Sequence, residues 1–139
     1  MELNWLGVIA ALATFLSIWL GHVGVRKIEA LSPTIWLPTM VALALGLAFE
    51  IGALLTSNIG LSAALGIIGI ILLWDALEFS RQQRRVQKGH APANPKNPRH
   101  ARILATYPSA TTTDWLNRQP GNISLAPVMG DSSSQENIQ

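Results

Sequence analysis

Three long stretches of this chain carry no Asp, Glu, Lys or Arg: Leu3 to Val25, Ala30 to Phe49 and Ile51 to Trp74. Runs of ~20 such residues cross a hydrocarbon core at 1.5 Å of rise each. The pattern predicts helices over about residues 5–25, 35–55 and 59–88. Ile51 to Trp74 could be read as one span, but then Glu50 alone would have to turn the chain, and one residue cannot reverse a helix. Thr56-Ser57-Asn58 is the better corner, because helix–helix connections can be that short and polar. Pro33 and Pro38 suit the first turns of the second helix, where a missing N–H costs little. Gly89 is placed to stop the third.

The fold class expected is therefore an all-α membrane protein. Residues 1–88 form three transmembrane helices, and residues 89–139 form an extended, mostly irregular tail rich in Pro, Ser and Thr. Composition agrees: 49% of the 139 residues are hydrophobic and 13% charged, about half the ~25% charge usual in soluble domains. A soluble enzyme is excluded. The absence of Cys excludes a disulfide-stapled or thiolate-ligated domain.

Charge adds an orientation. Arg26 and Lys27 follow the first helix, and every other Lys and Arg, from Arg81 to Arg118, follows the third. Three crossings place them all on one side, which the positive-inside rule makes cytoplasmic, with the N-terminus outside. Trp5, Trp36 and Trp74 fall near helix ends, as an aromatic belt expects. The N-terminus carries Glu2 and no basic residue, unlike a signal peptide, so the first helix is read as retained.

Few residues offer chemistry. Small residues recur at Gly7, Ala10, Thr14, Ser17, Gly21 and Gly24, a seam along which another backbone can approach closely. Glu50 and His22 are the intramembrane polar candidates. Glu50 shares the small-residue face of its helix and is expected to be a carboxyl hydrogen-bonded to helix polar groups or to interfacial water. A proton relay would need a series of ionisable groups. His22 is expected to be structural, since a bis-His haem needs a second buried His and His90 and His100 lie in the basic segment. Asp75 and Glu78 are expected to form ion pairs along the helix with Arg81 and Arg84. Arg81, Arg84, Arg85 and Lys88 are read as a positive-inside anchor able to meet anionic lipid headgroups. In the tail, Ile103, Leu104 and Tyr107, then Trp115 and Leu116, are apolar anchors suited to docking on a partner protein. No catalytic set, metal-ligand cluster or cofactor motif is present, and nothing accompanies the charge that would read nucleic acid.

Three stretches resemble one family. Asn4-Trp5-Leu6-Gly7 with Ala13-Thr14-Phe15-Leu16 resembles its first helix. His22, Val25, Lys27 and Glu29 resemble its motif His-Pro-x-Val-x-Lys-x-Glu, with Val23 in place of the Pro. Trp74, Glu78, Arg84-Arg85-Val86, Lys88-Gly89 and the Pro92-Ala93-Asn94-Pro95-Lys96 run resemble its end. Over residues 4–98 the chain is similar to the small bacterial three-helix membrane proteins termed domain of unknown function 4491. That resemblance implies three helices in a bacterial inner membrane and no known activity. Together these readings point to a non-catalytic accessory or assembly subunit of a larger membrane complex, with a respiratory or photosynthetic electron-transfer complex as an expected host. The rivals are a small oligomeric proton or ion transporter using Glu50, and an organiser of anionic lipids.

The orientation has a direct test. In intact cells, a cysteine at Ser57 should react with an impermeant thiol reagent and one at Ser80 should not. The reverse labelling would overturn the charge argument.

Overall fold

The computed structural model describes residues 4–114. Helix α1 runs Trp5–Leu31, α2 Trp36–Leu55, α3 Ile59–Gln87 and α4 Pro98–Thr106. All three long helices are apolar enough and long enough to cross a membrane.

Each boundary has a local cause. Asn4 caps α1, its side chain accepting from the Leu6 N–H. The helix runs six residues past the expected end, because nothing from Arg26 to Leu31 breaks it. It stops where Ser32 turns extended before Pro33, since the residue preceding a proline is pushed out of the helical region. Between α2 and α3 the corner is Thr56-Ser57-Asn58. Asn58 accepts from the Leu61 N–H at 2.9 Å, and Ser62 Oγ donates to the Ala53 carbonyl at 2.8 Å, closing the end of α2. At the end of α3, Gly89 takes a φ of +72°. Its N–H donates to Val86 and that of His90 to Arg85, the paired bonds of a Schellman cap.

Helix α3 is the centre of the bundle. α1 and α2 each pack along it and hardly touch one another. At 1.5 Å per residue α3 is about 43 Å long and α2 about 30 Å, so α3 and α1 project beyond α2 at the basic end. The three helices converge there on Val25, Ala42, Ala76 and Phe79, with Ile35 against them. A second small core lies beyond it: Val86, Ala91, Ala93 and Ile103, flanked by Leu104 and Ala110. Helix α4 is thus folded against the end of α3, and the first part of the expected irregular tail belongs to the folded unit. Asn97 accepts from the Arg99 N–H at its start, and Pro98 occupies the first turn.

Small residues set the α2–α3 contact. A Cβ on Gly46 would lie 2.8 Å from the Leu73 side chain and 3.0 Å from the Gly69 carbonyl. The seam on α1 is used only in part. A Cβ on Gly21 would meet the Asp75 carboxylate, whereas one on Gly7 or Gly24 would meet nothing within 4 Å.

The two kinds of glycine should therefore respond oppositely. Gly46→Ala should lower thermal stability by about 1–3 kcal/mol, the usual range for overpacking. Gly24→Ala should be neutral or slightly stabilising, since alanine favours the helix and meets no obstacle. Thermal unfolding in detergent followed by circular dichroism measures both.

Candidate functional site

The most ordered polar structure lies at the basic end and joins residues seventy positions apart. Glu29, in the last turn of α1, is 1% exposed, and His100 is fully buried. Arg99 Nη1 donates to Glu29 Oε1 at 2.9 Å, and His100 Nε2 lies 3.0 Å from the same oxygen. The Asn94 N–H donates to His100 Nδ1 at 2.9 Å. That bond makes Nδ1 the acceptor, so Nε2 carries the proton and donates to Glu29. One carboxylate is thus met by one guanidinium and one neutral imidazole.

The same segment closes the end of α1. The last carbonyls of a helix have no partner within it. Here Arg99 Nη2 donates to the Glu29 carbonyl, and the Asn94 and Asn97 side-chain amides donate to that of Ala30 at 3.0 and 3.1 Å. Asn97 and Arg99 Nε also donate to the Ser32 carbonyl. The Arg99 charge sits at the negative end of the helix dipole, where a cation is favoured. The Asn-Pro-Lys-Asn-Pro-Arg-His run from Asn94 to His100 therefore acts as a cap supplied from a distant part of the chain.

A second arrangement lies within the apolar part. Because α1 and α2 both pack on α3 but hardly touch one another, an apolar groove of about 520 Å³ opens between them. Leu20 and Gly24 of α1, Leu37 and Val41 of α2, and Leu72 and Asp75 of α3 are among its walls. Asp75 is 9% exposed, and its carboxylate lies against Gly21. Among the described residues none donates a hydrogen bond to it. His22 is near enough to interact with it electrostatically, although His22 itself is exposed and lines a different hollow on α1 with Phe15 and Trp19.

The predicted residues are distributed as follows. Glu50 is half-buried, and its carboxylate packs against Gly69 of α3; among the described residues it has no hydrogen bond to a helix group, which leaves interfacial water as the expected partner. Glu78 pairs with Arg81 at 3.5 Å and with Arg85 at 2.6 Å, not with Arg84. Asp75 forms no ion pair along its helix, because it turns toward α1. Arg81 also stacks over Trp74, 4.6 Å from the ring centre. Arg84 and Lys88 are exposed, as is Tyr107. Ile103 is buried and Leu104 is packed beside it, so the apolar surface of this pair is largely taken by the chain's own second core. Trp115 and Leu116 lie outside the described residues.

From sequence, Arg99 and His100 are simply members of the basic segment, and their pairing with Glu29 is not among the expectations. Two signals were available. Asn97-Pro98 is a helix-start pair, and Glu29 was an isolated acid close to the first basic loop.

The fold and site define a membrane protein of three spanning helices, closed at its basic end by a polar cap from beyond the third helix. The family model described as Domain of unknown function (DUF4491) matches residues 4–97. The chain belongs to that family. Neither curated proteins nor solved structures give a match.

The cap predicts strong and non-additive mutational effects. Arg99→Ala leaves Glu29 buried without its counter-charge and should destabilise by about 3–5 kcal/mol. Glu29→Ala with Arg99→Ala should be less damaging than the sum of the two single changes. Thermal unfolding and the rate of proteolysis between residues 89 and 106 would measure this, and additive effects would exclude coupling.

Proposed function

We propose that this chain is a non-catalytic accessory or assembly subunit of a larger complex in a bacterial inner membrane, with its N-terminus outside. The observation that supports the reading is the state of α1. Of its 27 residues only Val25 and Glu29 are buried, both toward the basic end. The outward face of the helix, with Gly7, Leu12, Thr14, Phe15, Leu16 and Trp19, is exposed, while Ala10, Ala13, Ser17 and Gly21 are half-buried and Ile9 lies against Gly60 of α3. A spanning helix that packs along α3 on one side and leaves a long apolar face, with Gly7 and Thr14 on it, uncovered suits lateral packing on another membrane protein. Exposed Arg84 and Lys88 suit contacts with anionic lipid at the same time.

A relay through Glu50 has less support. Glu50 reaches α3 from α2, while Asp75 points from α3 toward α1. Gly69 and Asp75 are six residues apart, so the two carboxylates are separated by about 9 Å along the axis and by most of a half-turn around it. They do not form a series of ionisable groups.

Affinity purification in a mild detergent, followed by native mass analysis, tests the assembly reading. The full chain should co-migrate with a defined set of membrane proteins, and an electron-transfer complex is the first host to examine. Gly7→Leu combined with Thr14→Leu, both on the exposed face, should release it without loss of helix content. Truncation after Asp114, which spares the cap, separates any contribution of Trp115 and Leu116. A lone homo-oligomer, unchanged by the α1 substitutions, would overturn the proposal.

A further inference from the structure

We propose that the groove between α1 and α2 binds a single-chain amphiphile whose head, an amine or a hydroxyl, donates to Asp75. The walls are apolar and open toward the space between two membrane-crossing helices, so a ligand would arrive from the bilayer. Asp75 supplies the selectivity. The residue is nine-tenths buried at the groove floor, and its carboxylate accepts no hydrogen bond from any described residue while its oxygens keep accessible surface, which leaves them able to accept from a ligand. Gly21 gives the carboxylate its room, because a Cβ there would overlap it.

Size separates this occupant from a partner helix. A helix about 10–12 Å across fills roughly 500 Å³ per 5.4 Å turn. The groove, at about 520 Å³, accommodates one such turn, far short of a spanning segment. It does fall within the ~300–1,000 Å³ typical of small-molecule sites. Depth fits an amphiphile as well. Asp75 lies sixteen residues after Ile59, about 24 Å from the opposite end of α3, so the head would sit just inside the boundary of a ~30 Å core. The groove continues from there past Leu72 to Ile68, the direction in which an acyl or alkyl chain would run.

The experiment uses the full chain in phosphatidylcholine nanodiscs. Dodecylamine, dodecanol and dodecanoate are titrated, with binding read by native mass spectrometry and by the shift in unfolding temperature. The amine and the alcohol should bind saturably, one per chain, and the amine at least tenfold more tightly than the carboxylate. Asp75→Asn should weaken the amine at least tenfold. Gly24→Leu projects into the groove from a position where a Cβ meets nothing. It should therefore leave folding intact and abolish binding of the amine and the alcohol, which keeps the test decisive if Asp75→Asn fails to fold. Equal, non-saturating uptake of the three probes, or amine binding unchanged by Gly24→Leu, would overturn the proposal. So would a dimer of the chain that Gly24→Leu dissolves, since a second copy would then be the occupant.

Discussion

Burying the Glu29 carboxylate would be prohibitively unfavourable in isolation, and the basic end of the molecule is organised around making it tolerable. Arg99 supplies the counter-charge, and His100 supplies a second donor, oriented by the Asn94 N–H on its other ring nitrogen. A buried pair of this kind is weak evidence for stability gained, because desolvation offsets most of the attraction. Its consequence is geometric. The placement of residues 94–100 satisfies the carboxylate and the open carbonyls at the end of α1 together, which ties the segment after α3 to α1 at several points. Helix α4 follows from that placement. A nine-residue helix is marginal alone, and here it is stabilised by Asn97 at its start and by burial of Ile103 against Val86.

The cap also bears on the membrane part. α1 and α2 make almost no direct contact, so the position of α1 is set by its packing along α3, from Ile9 against Gly60 to Gly21 against Asp75 and the Val25–Phe79 core, and by the lock at Glu29. α1 and α2 are thus both held on α3 rather than against one another. The groove lies in the gap between them, beside the Val25–Phe79 core, and the outward face of α1 is left uncovered. They are features a tightly packed three-helix bundle would not have, and both concern what lies outside the chain: lipid, an amphiphile or a neighbouring subunit.

Glycines divide by the same logic. Gly46 and Gly21 are needed where another helix approaches, and Gly89 is needed for a left-handed turn that ends α3. Gly24 and Gly7 meet nothing in this chain. A single periodic stripe in sequence thus contains positions with opposite structural roles, because only some of its members face another helix of this chain.

What the sequence determined by itself was local. Uncharged runs of sufficient length specify three spans, since a bilayer accepts little else. Thr56-Ser57-Asn58 specifies the corner through polarity and capping, and Gly89 specifies a stop through its backbone freedom. Family membership was legible in the motifs around His22–Glu29 and Lys88–Lys96. The end of α1 was less legible, because charged residues leave hydrocarbon without leaving a helix. The pairing of Glu29 with Arg99 and His100 and the groove floored by Asp75 were decided only in three dimensions. Either residue type in isolation reads as solvated charge, and burial depends on a partner seventy residues away. Which face of α3 a carboxylate occupies, and whether a neighbouring helix covers it, is likewise set by packing that no local signal encodes.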